Sequence, residues 1–244
     1  FEKIVETIKT DLPGLPVLIT GDITNSADEH EFQEAQYWME RLAEKNPVFM
    51  VPGNHDYCWW GNFFQNDAWK LWLKYLGKPL GVENDSGPWL EKDSAPFGID
   101  GLGVRKYKDL VIVGVDSGDP ENKVPCAKGF ISPKMAQGLN KTLIENEGSI
   151  RVVFLHHHPF SSGLFTELVG SERLLKAVRN NCELLLFGHE HYYGVWRSLN
   201  GIPLTVASHK TTSGVLGPCL GVTLIDIDNI GQKTRSMQHR LYVV

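Results

Sequence analysis

The sequence predicts an α/β fold, and three observations carry that prediction. Short apolar segments such as Val17–Ile19, Val48–Val51 and Leu110–Val115 are bounded by Gly, Pro or Asp, the signature of strands buried on both faces. They alternate with stretches of helical period over short connections, as in α/β units. The 244 residues are 42% apolar and 22% charged, a globular balance that excludes disorder, collagen and coiled coil. At about 150 residues per domain the length admits one large domain or two small ones. We read 1–244 as a single domain with an insertion at about 57–100.

In chain order, residues 2–10 form a short helix, with Ile4, Val5 and Ile8 on one face before Asp11-Leu12-Pro13-Gly14 stops it. Val17-Leu18-Ile19 is a strand running into Gly21-Asp22. Ser26-Ala27-Asp28-Glu29 has capping-box spacing, and Phe32, Ala35, Met39, Leu42 and Ala43 then repeat at helical period. Val48–Val51 is the next strand, ended by Pro52-Gly53. The 57–100 segment breaks this rhythm and holds Trp59, Trp60, Trp69, Trp72 and Trp89. One helix is expected there, with Trp69, Trp72, Leu73 and Leu76 on a shared face, which makes these aromatics the insertion's own small core; a cap over a site is the alternative. Beyond it come the strand Leu110–Val115, a helix opened by Ser132-Pro133, the strand Arg151–Leu155, a helix Ser171–Arg179 and the strand Glu183–Phe187. Tyr192–Leu199, Pro203–Val206, Gly221–Asp226 and Ser236–Val243 read as antiparallel strands.

Composition narrows the function classes. A net charge of −5 offers no field that attracts nucleic acid or anionic lipid. No apolar run reaches the ~18–20 residues of a membrane-spanning helix. Cys58, Cys126, Cys182 and Cys219 lie far apart without a C-x-x-C, so neither a disulfide framework nor a zinc ribbon is expected, and a cytoplasmic location is. The oligomeric state is not fixed by these features.

Four polar motifs follow predicted strands, where open α/β sheets place their ligands. They are Gly21-Asp22-Ile23-Thr24, Gly53-Asn54-His55-Asp56, His156-His157-His158-Pro159 and Gly188-His189-Glu190-His191. Together they offer a carboxylate, an amide and several imidazoles, a borderline N/O donor set suited to Mn, Fe or Zn. Gly-Asp after a strand is a common turn. G-N-H-D is the sharpest of the four, rarer by chance than G-H-x-H by about tenfold. Three adjacent imidazoles cannot all point one way from a strand end, so at most two of His156, His157 and His158 face a site.

In these motifs the sequence resembles the calcineurin-like metallophosphoesterases, a family that includes purple acid phosphatases and class III cyclic-nucleotide phosphodiesterases. Four of the family's five blocks (D-x-H, G-D, G-N-H-[DE], H-x-P, G-H-x-H) stand here in order, from Gly21 to His191, with Gly129-Phe130-Ile131-Ser132 as a further match. The resemblance implies a four-layer α/β/β/α sandwich with mixed sheets and a centre of two divalent or trivalent metal ions. Residue by residue, it implies that Asp22 bridges the metals, and that Asn54, His157 (two before Pro159) and His189 bind the second. His191 reaches the first, and His55 is the catalytic histidine, protonating the leaving oxygen. Asp56 and Asn25 stand behind these residues: Asp56 orients its neighbours, and Asn25 takes the place of the carboxylate that often holds the histidine. The implied function is hydrolysis of a small-molecule phosphomonoester or phosphodiester, with a hydroxide between the metals as nucleophile.

The D-x-H block is absent: Glu2, Glu6 and Asp11 are the only acids before Gly21 and none is followed by His. The chain opens inside the first helix, so a first strand bearing that block is expected upstream of Phe1. Its absence keeps two alternatives in view, a non-catalytic scaffold of the same fold, as in a retromer subunit, and a family nuclease. His30 reads as a solvated helix residue, His209 as a loop residue with contact to the site as its alternative, and Asp116 as a turn or cap residue.

Overall fold

The computed structural model describes residues 1–65, 67–82, 101–118, 127–160, 163–208, 210–211, 221–230 and 234–243. The expectations for Trp89, Cys126, Cys219 and His209 lie outside these residues. The first half comprises α1 (Glu2–Asp11), β1 (Val17–Ile19), α2 (Glu29–Ala43), β2 (Val48–Met50), β3 (Cys58–Trp59), β4 (Phe63–Phe64) and α3 (Ala68–Trp72), the last continuing as a π-helical segment, Leu73–Val82. Then follow β5 (Leu102–Tyr107), β6 (Leu110–Val115), β7 (Gly129–Phe130), α4 (Pro133–Glu145), β8 (Ile150–Leu155), β9 (Leu168–Val169), α5 (Ser171–Val178) and β10 (Leu184–Phe187). The chain closes with β11 (Gly194–Leu199), β12 (Ile202–Ala207), β13 (Gly221–Ile230) and β14 (Thr234–Val243).

A six-stranded mixed sheet, ordered β11-β12-β10-β8-β6-β5, is the centre of the structure. Its four inner strands run parallel and its two edge strands antiparallel. Strand alternation sends Ile112, Val152 and Phe154 to one face and Val111, Val113, Val153 and Leu155 to the other. The first set joins a core with α1, α2, β1 and β2, and the second packs under α4 and α5. Helices, the parallel pair β1–β2, the six-stranded sheet and helices again give the four layers that the resemblance implies. Each fully buried aliphatic side chain in these interfaces contributes about 1.5–3 kcal/mol. Arg151 and Glu183 clamp β8 to the start of β10 through a two-point ion pair, Nη2–Oε1 at 2.9 Å and Nε–Oε2 at 3.2 Å.

Several local expectations are corrected. The capping box opening α2 sits two residues later than read, with Asp28 as N-cap and Glu31 reaching back. Glu29 is instead engaged by Lys74 and Tyr75, and Glu31 also accepts from the Ser26 amide at 2.7 Å. The insertion does not form one shared aromatic face. Trp72 and Leu76 are buried at 1% exposure, but Trp69 is 37% exposed, because the buried stripe runs through Ala68, Trp72, Tyr75 and Leu76 and leaves Trp69 at its edge. β12 is antiparallel only to β11; its other edge runs parallel to β10. β5, unassigned in the sequence, is an edge strand of the main sheet.

The cysteines also depart from expectation. Cys58 is disulfide-bonded, its partner lying outside the described residues, whereas Cys182 is free and buried. Burial pushes the Cys182 thiol up to about 12, and it is thiolate that reacts. Cys182 is therefore expected to stay unlabelled by a disulfide-exchange reagent at pH 8 until denaturant is added; labelling of the native protein within minutes would contradict this placement.

Candidate metal centre

Each of the four polar motifs leaves the carboxyl end of a parallel strand: Asp22 follows β1, Asn54 follows β2, His156 follows β8 and His189 follows β10. The first pair belongs to one sheet and the second to the other, so the site forms where the ends of two sheets meet. His156 joins them, its Nδ1 donating to the carbonyl of Thr20 at 2.7 Å. Thr20 Oγ1 also meets Ser208 Oγ at 3.0 Å, beyond β12. The Asp22 and Asn54 loops touch: a Cβ on Gly53 would lie 2.1 Å from Asp22 Oδ1, so only glycine fits there. Asp22, His189 and His191 have positive φ values of 56°, 74° and 57°, sparsely populated conformations that concentrate at functional sites.

The inward atoms form a tight group. His156 Nε2 lies 2.9 Å from Asn54 Oδ1 and 3.1 Å from His189 Nδ1, and His189 Nδ1 lies 3.1 Å from Asn54 Oδ1. Asp22 Oδ2 is 3.4 Å from His156 Nε2. Asn54 donates through its Nδ2 to the Gly61 carbonyl at 3.0 Å, which fixes Oδ1 as the atom facing the group. His156 uses its Nδ1 proton on Thr20, so in the neutral ring its Nε2 is a lone pair as well. An amide oxygen and an imidazole lone pair facing each other at 2.9 Å repel unless a cation or a proton joins them. Ligand atoms about 2.1 Å from a common ion and at right angles would be about 3.0 Å apart, so the observed spacing fits a metal. Burial and the neighbouring His156 hold His189 down at about 4, which keeps it neutral and able to ligate at pH 7.

His157, the residue that the resemblance assigns to this group, continues the other face of β8, where its Nδ1 meets Ser117 Oγ at 2.9 Å, while its ring stays 4.7 Å from that of His189. It is fully buried, and its Nε2 has no hydrogen-bond partner. Ligand nitrogens of His156, His157 and His189 still lie within 4.8 Å of one another. His158 faces neither group: its ring sits among Phe160, Phe187, Tyr192 and Trp196. His156 is the residue that the motif reading left out of this group, and the alternation of β8 signals it, since His156 has the parity of Val152 and Phe154 on the inner face.

His55 sits at the mouth, donating from Nδ1 to the carbonyl of Asn25 at 2.8 Å, while its amide donates to Asp22 Oδ1 at 3.0 Å. Asn25 thus meets His55 through its backbone, its side chain being directed to Ser26. Asp56 is wholly buried and accepts from the amides of Gly53 and Thr24 and from the Thr24 hydroxyl. Burial and the Asp22 carboxylate push it up to about 6. His191 is within electrostatic reach of Asp22, His55 and Lys210, and partial burial lowers its pKa. Asp22 and His191 are the predicted first-metal donors that the described residues supply. His30 is exposed at the start of α2. Asp116 accepts from Tyr57 Oη and from the Gly118 amide, as a turn residue does. A cavity of about 840 Å³ opens beside the site, reaching from Asp22, His55 and His191 back to the apolar residues Ile4, Val17 and Leu186.

Two solved structures share this architecture. A dimetal phosphatase from Danio rerio aligns with a TM-score of 0.54 at 13% identity, over 85% of this chain and 76% of its own. The protein TT1561 of Thermus thermophilus aligns with a TM-score of 0.54 at 14% identity, over 98% and 91% respectively. No curated protein matches the chain. At these identities the likeness defines a class of fold. The family model for calcineurin-like phosphoesterases matches residues 1–193, and the chain belongs to that family. Membership supports metal-dependent phosphoester hydrolysis in general, with divalent ions as cofactors. Among the described residues no helix is long and apolar enough to cross a membrane.

Proposed function

We propose that the protein hydrolyses small phosphate esters at a dinuclear metal centre. Asp22, Asn54, His156 and His189 hold one ion, Asp22 and His191 contribute to the other, and His55 acts as the proton donor. The observation that carries this reading is the triangle of Asn54 Oδ1, His156 Nε2 and His189 Nδ1, three donor atoms about 3 Å apart that one cation would join. His156 takes the ligand role in place of His157 because its lone pair faces that triangle. The donor set suits Mn, Fe or Zn, and the net charge of −5 favours a small ester over a nucleic acid. The disulfide at Cys58 favours an oxidising compartment over the cytoplasm.

When bound, two such ions clamp the phosphoryl oxygens and lower the pKa of water enough to make a nucleophile near neutral pH. The chain does the rest. Asp22 aligns the His55 backbone through its Oδ1, and the Asn25 carbonyl holds Nδ1–H, which leaves His55 Nε2 for the leaving group. As the oxygen of water joins phosphorus, the P–O bond to the leaving group breaks and its electron pair stays on the departing oxygen. His55 in its imidazolium form, with Nδ1–H on the Asn25 carbonyl, gives its Nε2 proton to that oxygen, and the proton lost by the attacking water passes to solvent.

His55→Ala is expected to keep its metal and lower turnover of an alkyl ester by about 10²-fold. The loss should be smaller for a nitrophenyl ester, whose phenolate leaves without an acid. Chelation should abolish hydrolysis of both, and added Mn or Zn should restore it. Undiminished hydrolysis after complete chelation would refute the proposal, as would full activity of His55→Ala on the alkyl ester.

A further inference from the structure

The hairpin that follows the His55 motif is built against that residue and carries aromatic rings the core does not use. β3 and β4 pair Cys58 with Phe64 and Trp59 with Phe63, and the turn between them is Trp60-Gly61-Asn62. The Gly61 carbonyl accepts from Asn54 Nδ2 at 3.0 Å, and a Cβ on Gly61 would lie 2.6 Å from His55 Nε2. The turn backbone therefore lies against the nitrogen assigned to the leaving group. Gly61 N–H donates to the Cys58 carbonyl at 2.9 Å, and Asn62 Nδ2 donates to the Trp60 carbonyl at 3.0 Å. At the hairpin's base, Cys58 is disulfide-bonded and Gln65 Nε2 holds the Ser26 carbonyl at 3.1 Å. This is a braced structure.

Its side chains do the opposite of what a folding core requires. Trp72 is 1% exposed, whereas Trp59, Trp60 and Phe63 are 49%, 56% and 63% exposed. Trp59 meets Trp60 edge-on at 6.1 Å and Phe63 at 5.8 Å, so the rings form a small wall open to solvent. Trp60 has a φ of +53°, a conformation that bulky residues avoid and glycine takes readily. A tryptophan kept in that strained position, beside a glycine next to His55, has a use that the turn geometry alone does not supply.

We infer that the Trp59–Phe63 hairpin is the leaving-group subsite and that it selects phosphate esters whose leaving group is an uncharged aromatic ring. The inference rests on the proposed phosphoesterase centre and on the role given to His55. A ring linked through oxygen to phosphorus would lie over the indole of Trp60 while its oxygen meets His55 Nε2. Aromatic side chains favour such offset or edge-on contact beyond simple burial, and stacking of one base on an aromatic residue has comparable strength. The turn offers no charged side chain, which matches an uncharged ring and not a second phosphate or a sugar acid.

The test uses two non-hydrolysable probes, phenylphosphonate and methylphosphonate, titrated calorimetrically into the Mn-loaded protein, together with KM for phenyl and methyl esters. The expected result is binding of phenylphosphonate about tenfold tighter than methylphosphonate. Trp60→Ala should erase that difference and raise KM for the phenyl ester, and Trp60→Phe should restore most of it. Trp59→Ala should give a smaller loss in the same direction. Equal affinity of the wild-type protein for the two phosphonates would overturn the subsite while leaving the metal centre standing. So would an equal loss of both in Trp60→Ala. Failure of both to bind the wild-type protein would overturn the phosphoesterase centre and the subsite with it.

Discussion

His156→Ala is expected to lose one equivalent of metal and to lower turnover by about 10³-fold or more, while His157→Ala keeps its metal. An active-site ion contributes several kcal/mol of charge stabilisation to the reaction, and each 1.36 kcal/mol is tenfold in rate. His156 Nε2 is the atom facing Asn54 Oδ1 and His189 Nδ1, whereas His157 Nδ1 is engaged by Ser117 Oγ. The alanine at 156 also frees the Thr20 carbonyl from the 2.7 Å bond that ties β1 to β8. Elemental analysis of the two variants, beside thermal melts to show that both fold, decides the matter. Metal retained in His156→Ala and lost in His157→Ala would reverse the assignment.

Asp56→Ala is expected to be the most destabilising replacement in the site, at about 3–5 kcal/mol. The carboxylate is wholly buried and satisfies the Gly53 amide, the Thr24 amide and the Thr24 hydroxyl. Each buried donor left without a partner costs about 1–3 kcal/mol. Two of these donors lie in the Asp22 loop and one in the Asn54 loop, so the loss falls on the alignment of the two loops as well as on the fold. For a chain of this size about 2–4 °C accompanies each kcal/mol, so a fall in Tm of about 6–20 °C is the measurable outcome. A shift below about 2 °C would mean that water takes over the carboxylate's bonds and that Asp56 is dispensable.

Much of the architecture is legible in the residues. β1, β2, β6, β8 and β10 are apolar runs closed by glycine, proline or a polar motif, and Ser132-Pro133 opens α4 as read, with Ser132 Oγ accepting from the Met135 amide. β5 is less legible because it is an edge strand whose Val104, Arg105 and Lys106 alternate weakly and mix charge with apolar character. The start of α2 holds two overlapping capping patterns, and the competing engagement of Glu29 by Lys74, 45 residues away, decides between them. The candidate site follows the same division. Asp22, Asn54, His55 and His189 are fixed by motifs of one or two polar residues after a strand. The arrangement of three consecutive imidazoles depends on which face of β8 each continues, and a count back from Pro159 does not read that face. The exposed rings of Trp59 and Trp60 are indistinguishable from core aromatics in sequence, since only the packing around Trp72 separates them.

His156 carries a consequence beyond ligation. It is anchored at one ring nitrogen to the backbone of β1, while its other nitrogen faces residues that follow β2 and β10. An ion held there would act as a rivet between the two sheets, because its ligands come from the carboxyl ends of both layers. Affinity for the ion and resistance to sliding of one sheet over the other are then one quantity measured in two ways, since anything that binds only the closed arrangement stabilises it by mass action. Distant residues in the core between the layers, such as Phe154 and Ile112, thereby become determinants of metal affinity without touching the metal.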